Sequence, residues 1–280
     1  KSSGSKRSIN PFGSSPTPIP IFMFQLRLFA MLVGFGASIG LWRFCCLSNR
    51  DEPLKEAFTG LWILLGGLVG ARAGYVLVHG EYFRNHPGLT LQFWQGGLNG
   101  FGLITGMLVF TLLAAFARRA DPLEMLDRVG RMAAPLSTAA WLGLWSEGVA
   151  YGALLAPGTP WGVMTPDESG AFSLRFPLQF AAAFSFLLLA LLVERLTRNA
   201  KPGFFAGVLL IVLAVHAFVV SIFRVDPVRP FFHLGLDTAL SMILLILSAI
   251  FMIFLILHHR KKGIKSDAGS DAQQASILTG

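Results

Sequence analysis

Charge is scarce in this chain. Only 14% of its 280 residues are Asp, Glu, Lys or Arg, against about 25% in an ordinary soluble domain. That shortfall excludes a water-soluble fold of this length and leaves an integral membrane protein. Tyr numbers 3 against 25 Phe, the composition of surfaces that meet hydrocarbon or other helices and need no polar tip. The two cysteines, Cys45 and Cys46, are adjacent. Neighbouring cysteines rarely form a relaxed disulfide, and a CC pair lacks metal-ligand spacing. Nothing in the sequence resembles a Ser/His/Asp set, a metal-ligand cluster or a phosphate-binding Gly-Lys loop, so neither a metal nor a cofactor is expected. No internal repeat is present, which removes the sequence support for an inverted-repeat transporter.

What remains is apolar sequence in long runs. A spanning helix needs roughly 20 apolar residues to cross about 30 Å of hydrocarbon, and seven windows qualify: 21–45, 56–79, 96–118, 132–154, 176–196, 203–224 and 232–258. The expectation is an all-α, polytopic, seven-helix membrane domain over residues 20–258. A Ser/Pro-rich flexible tail over 1–19 would precede it, and a basic cytoplasmic tail over 259–280 would follow. The fourth window is the least regular, broken by Glu147 and several glycines. The formal net charge of +8 sits in short loops and tails rather than on a basic stripe with interleaved aromatics, which argues against nucleic acid as partner. Counted with the span ends, the loops after windows one, three and five and the C-terminal tail hold 14 Lys and Arg; the other three loops hold 4. This bias predicts a cytoplasmic C-terminus and, through seven spans, an outer N-terminus.

Ionisable groups at membrane depth cost several kcal/mol unless paired or hydrated, so each asks for a reason. Arg72 lies among Gly66, Gly67, Gly70 and Gly74 in the second window. It reads either as an anchor for a phosphodiester, through its bidentate fork, or as an arginine that snorkels outward or pairs with Glu147. Glu147 itself reads as a carboxyl held neutral by burial, as an ion-pair partner of Arg72 or Arg224, or as a catalytic base. His216 and Arg224 lie eight residues apart and share a helix face. His216 reads as a hydrogen-bonded core residue or as a ligand to a pigment or haem. The run from Phe93 to Gly106 places Gly96, Gly97, Gly100, Gly102 and Gly106 together. Such a run suits close helix packing, or a headgroup beside bare N–H groups at a helix start.

The segments GARAGYVL and FWQGGLNGFGLITG, then Asp127, WLGLWSEGVAYG, RFPLQF and VSIFRVDP, resemble in order and spacing the prolipoprotein diacylglyceryl transferases over roughly residues 20–258. The resemblance implies a multi-pass protein of the bacterial inner membrane. It also implies an activity, transfer of diacylglyceryl from phosphatidylglycerol to the lipobox cysteine of a secreted precursor, on the outer side. Arg72, Gly74, Tyr75, Trp94, Gly96, Gly97, Gly102, Gly106, Asp127, Gly143, Gly148, Gly152, Arg175, Pro177, Gln179 and Arg224 match positions of the family pattern. Of these, Arg72, Tyr75, Gln179 and Arg224 are the implied lipid-headgroup contacts.

The departures share a direction. Phe101 stands where the family has its His before the paired glycines, and Trp141 where it has the arginine of the fourth span. The Asn-Gly-Glu stretch reads Glu147-Gly148-Val149, and His-Pro-Ser-Gln reads Phe176-Pro177-Leu178-Gln179 with Ala181-Ala182 after it. Ala217 and Ser221 replace an arginine and a glutamate ahead of Arg224. A titratable ring and two guanidiniums are thus exchanged for groups that can neither move a proton nor hold a phosphate. Glu147 and His216 are left as the titratable candidates for catalysis. The sequence therefore favours a non-catalytic relative that binds a phosphatidylglycerol-like phospholipid, or a subunit of a larger membrane complex. The alternative is an active transferase in lipoprotein biosynthesis.

Overall fold

Breaks in hydropathy become helix ends for local chemical reasons. The computed structural model describes residues 19–48, 52–92, 96–167, 169–227, 230–231 and 234–278; Trp94 and the segment 1–18 lie outside them. The long helices are α1 (Ile19–Cys46), α2 (Pro53–Val78), α4 (Gly100–Arg118), α5 (Pro122–Ser146), α6 (Leu178–Leu196), α7 (Phe204–Phe223) and α8 (Leu236–Leu278), with a short α3 (Gly80–Asn85) after α2. Pro53 and Pro122 occupy first-turn positions, where a missing N–H costs nothing. Asn99 caps α4 by accepting a hydrogen bond from Gly102 N at 2.8 Å, and Asp121 caps α5 through Leu123 N at 2.8 Å. Among the described residues, six helices are long and apolar enough to cross a membrane: α1, α2, α4, α6, α7 and α8.

The fourth window is displaced. Expected over 132–154, the helix runs instead over Pro122–Ser146, because Asp121-Pro122 start it and Gly148 stops it. Gly148 has φ +65°, and a side chain there would overlap the Asp167 carbonyl oxygen, so only glycine suits the position. The first turns of α5 carry Glu124, Asp127, Arg128 and Arg131, which is why hydropathy undervalues it. Three of these charges find partners on other helices. Asp127 accepts from Gly203 N and Ala206 N, both at 2.8 Å, and so caps α7 from outside. Arg128 pairs with Glu56 of α2, and Arg131 lies 3.4 Å from Glu194 of α6. Helix α5 packs against α1, α4, α6 and α7, and Met125, Val129, Met132 and Leu136 join Phe44 and Ile63 in the main core.

Helices α2 and α4 meet along a seam of glycine. A Cβ on Gly106 would lie 2.9 Å from Gly70 Cα, and one on Gly74 would lie 3.0 Å from Gly102 Cα. The glycine run singled out in the sequence thus serves backbone contact between helices. Gly106→Val should force the two helices apart at a cost of about 1–3 kcal/mol or more, read as a lowered thermal midpoint in detergent. Gly88→Ala, where an added Cβ meets open space, is the control.

Two antiparallel hairpins supplement the helices: β1 (Val163–Pro166) with β2 (Phe172–Arg175), and β3 (Pro230–Phe231) with β4 (Leu234–Gly235). The first falls where the sequence suggested only a polar break. Helix α8 continues to Leu278, so the stretch expected as a tail extends it; no proline interrupts 259–278.

Candidate functional site at the end opposite the basic loops

The C-terminal ends of α2, α5 and α7 and the N-terminal ends of α4, α6 and α8 gather with the β1–β2 hairpin at one end of the bundle. The gathering is recorded in hydrogen bonds: Asn99 N to Ala71 O at 3.0 Å, Val225 N to Tyr151 O at 3.1 Å, and Phe176 N to Ala153 O at 2.9 Å. The sequence candidates fall into three groups here.

Arg72 and Tyr75 form the first, beside α4. Four of the five guanidinium N–H groups of Arg72 donate to backbone carbonyls: Nε to Thr90 (2.8 Å), Nη1 to Gly96 (2.7 Å) and Gly97 (3.1 Å), Nη2 to Leu89 (2.6 Å). Arg72 therefore clips the loop between α3 and α4 onto α2. The Tyr75 ring occupies the space in which a Cβ on Gly97 (φ +74°) would sit, and it stacks on His79 with centroids 4.1 Å apart. No carboxylate pairs with Arg72 among the described residues; its charge is met by carbonyl dipoles and by the Tyr75 and Phe83 rings, 5.7 and 5.2 Å from the guanidinium carbon to the centroids. Replacing Arg72 by Lys keeps the charge and removes the fork. We expect faster amide exchange across 87–92 and 96–99 and a loss on the order of 3 kcal/mol.

Glu147, Gln179 and Arg224 form the second group, around the loop 147–151. Gln179 is fully buried and donates from Nε2 to Val149 O at 3.0 Å, while its Oε1 is buried with no partner. Glu147, the residue after the last turn of α5, likewise leaves Oε1 buried and unpartnered. It makes no ion pair among the described residues, which removes one of its three readings, that of partner to Arg72 or Arg224, and leaves the other two. Arg224 grips Asp226 twice, Nε to Oδ1 at 2.9 Å and Nη2 to Oδ2 at 2.6 Å, and reaches Asp237 through Nη1. Asp226 in turn accepts from Ala150 N at 3.1 Å. One guanidinium between two carboxylates is locally negative, a poor seat for a phosphate. Sequence reasoning missed Asp226 and Asp237; the signal was the acid two residues after Arg224, because a buried arginine without a counter-ion is costly.

Arg175, at the end of β2, borders this loop. Its guanidinium lies 4.1 Å from the Tyr151 ring centroid and 3.8 Å from Asp167, and its Nε is buried without a partner. The Ser169 hydroxyl, together with backbone N–H groups of Ala171 and Ser169, holds the Asp167 carboxyl below the usual aspartate range.

His216 is alone in the third group, two turns deeper on α7. Its Nε2 is 3.0 Å from Ser185 Oγ, its Nδ1 is buried without a partner, and its ring is flanked by Trp141 and Phe186 at 6.0 and 5.4 Å between centroids. The arrangement is a walled imidazole with a hydroxyl neighbour. No hydrogen bond or ion pair joins the His216, Arg72 and Arg224 groups directly, and no cluster of three or more His, Cys, Asp or Glu able to hold a metal occurs among the described residues.

These features define a polytopic α-helical membrane protein with a polar, partly unsatisfied site at one end of its bundle. The sequence profile of the family described as prolipoprotein diacylglyceryl transferase matches residues 16–254, and the chain belongs to that family. It is accordingly a multi-pass protein of the bacterial inner membrane, of a family that serves lipoprotein biosynthesis. Among its relatives, the phosphatidylglycerol–prolipoprotein diacylglyceryl transferase of Azospirillum brasilense is 25% identical over 262 residues, covering 89% of this chain and 96% of the relative. The protein of the same name from Polaromonas naphthalenivorans is 29% identical over 235 residues, covering 77% and 83%.

Proposed function

We propose that this protein holds a phosphatidylglycerol-like phospholipid at the end of the bundle described above and does not transfer its diacylglyceryl group. One observation carries the reading. Arg72 and Arg224 are committed to the chain's own carbonyls and carboxylates, and the family resemblance implies that Phe101, Trp141 and Ala217 stand at the family's His and Arg positions. Loss of a single electrostatic donor typically costs about 100- to 1000-fold in rate, and the resemblance implies that a base and two donors are gone together. The lipid-binding half rests on different atoms. The free acceptors Glu147 Oε1 and Gln179 Oε1 match the hydroxyl donors of a glycerol headgroup. The net positive charge of Arg72, which no carboxylate among the described residues neutralises, and the unpartnered Nε of Arg175 are what a phosphate would meet. Tyr75 and Gly97 shape the wall beside Arg72. In the topology proposed here α5 crosses together with the six apolar helices and the basic ends lie in the cytoplasm, so that this site faces the outer side.

The names of the relatives favour a second reading, an active transferase. His216 or Glu147 would then act as base, with Arg72 and Arg224 gripping the phosphate. The two readings separate in a cell depleted of its own transferase. We expect this chain, well expressed, to leave prolipoproteins unmodified and yet to purify with phosphatidylglycerol enriched over the bulk membrane. Restored lipoprotein maturation would establish the second reading, and phosphatidylglycerol at bulk proportion would remove the lipid-binding half of the first.

A further inference from the structure

The opposite end of the bundle carries a cleft that the proposed function does not use. It has a volume of about 630 Å³ and is lined by Leu47, Arg131, Leu191, Glu194, Arg195 and Arg198. Glu194 is its keystone: both carboxylate oxygens accept from Arg43 Nη2 at 2.6 Å, and Arg131 Nε lies 3.4 Å away. Arg131 is further fixed with its guanidinium 4.4 Å from the Phe205 ring centroid. Arg195 and Arg198 make no ion pair among the described residues and are exposed. Two guanidiniums therefore share one carboxylate and two more line the same cleft, so that positive charge is in surplus there. An ordinary solvated basic loop would leave its cations dispersed; here two are locked in place from α1 and α5, and two free ones complete the rim from the end of α6.

The wall of the cleft continues into apolar surface. Leu191 on the lining is 49% exposed, and Leu188, Leu192 and Phe184 on the same helix are 67%, 50% and 58% exposed. A phosphate seated among Arg131, Arg195 and Arg198 would have hydrocarbon-facing leucines directly beside it. A soluble anion has no use for that surface, whereas the acyl chains of a membrane lipid do. We infer that this cleft is a second lipid site, one that binds the phosphate of an anionic phospholipid headgroup from the leaflet facing the basic end of the bundle. Gln179 opens α6 and Arg195 lies in its last turn, about 24 Å apart at the helical rise, so the two sites are separate.

A photocrosslinking residue at Leu191 in the full-length protein, reconstituted into vesicles with labelled lipid, reads the cleft alone. We expect strong crosslinking to phosphatidylglycerol and little to phosphatidylcholine. Arg195→Gln/Arg198→Gln should lower the phosphatidylglycerol yield at subsaturating lipid by about five-fold per arginine, and Arg195→Lys/Arg198→Lys should recover much of it. Arg260→Gln/Lys261→Gln, the same charge change on α8, should leave the yield unchanged. Gln179→Ala should also leave it unchanged, which keeps the outcome independent of the site proposed for function. Equal yields from the two lipids, or no loss in the double glutamine variant, would overturn the inference. So would full competition by millimolar inorganic phosphate, which would make the cleft a site for small anions.

Discussion

Glu56→Ala should be the most damaging single substitution in the bundle, costing about 3–5 kcal/mol. Glu56 is 1% exposed, yet it bears a charge that two arginines share: Arg118 Nη1 at 2.7 Å from Oε1, and Arg128 on Oε2. Arg128 also donates to Phe44 O at 2.9 Å and lies 4.0 Å from that ring's centroid. One carboxylate thus ties α2, α4, α5 and the end of α1 together. Removing it leaves two guanidiniums held in a low-dielectric setting without a counter-ion, and the penalty is theirs more than the lost pair's. The measurement is unfolding in mild detergent, followed by helicity or thiol accessibility at Cys45. Glu56→Gln should retain part of the stability through hydrogen bonding. A Glu56→Ala protein as stable as the parent would mean that water reaches this triad.

Arg224→Ala should rank next, with a loss of about 2–5 kcal/mol and a collapse of lipid retention. The residue joins the end of α7 to the start of α8 through Asp237 and, through Asp226, to the N–H of Ala150. Without it, Asp226, of which the side chain is 7% exposed, is a buried carboxylate lacking its cation. Loop 147–151 would then lose its anchor, and with it the placement of Glu147 and of Gln179's partner Val149. Arg224→Lys should restore charge but not the two-pronged grip on Asp226, and should therefore rescue folding more than lipid retention. If both variants fold normally and lose only lipid, Arg224 contacts the headgroup directly and its architectural role is smaller than described here.

The fold was largely legible because apolar runs bounded by Asp-Pro, Asn and Gly leave few alternatives. Six of the seven expected windows begin or end within a few residues of the helices α1, α2, α4, α6, α7 and α8, leaving aside the extension of α8. Helix α5 was misplaced because its charges were read as loop. Each of Asp127, Arg128 and Arg131 is satisfied by a residue distant in sequence, and single-sequence hydropathy has no access to such pairings. Arg72 shows the same limit from the other side. Its presence among glycines was conspicuous, but the carbonyls it serves lie 17 to 25 residues downstream, in a loop whose conformation no periodicity encodes. The glycine seam, by contrast, was readable, since spacing of four along α2 and again along α4 produces a bare stripe on each helix.

Trp141 of α5 and His216 of α7 meet inside the bundle. An indole now stands edge-on to the imidazole at 76° between planes, at a position where the family resemblance implies a guanidinium. Among the described residues the imidazole has a hydroxyl neighbour and two aromatic walls but no ion pair, and under the proposed reading no cation there stabilises the charge that develops on a leaving phosphate group. A protein so built can still present unsatisfied acceptors to a headgroup.

The decisive measurement is turnover with purified components: this protein, phosphatidylglycerol labelled in its diacylglyceryl moiety, and a peptide bearing a lipobox cysteine. The account predicts label on the peptide no faster than in the protein-free control, while the same preparation retains bound phosphatidylglycerol. Multiple turnovers that vanish in a folded His216→Ala or Glu147→Gln variant would contradict it.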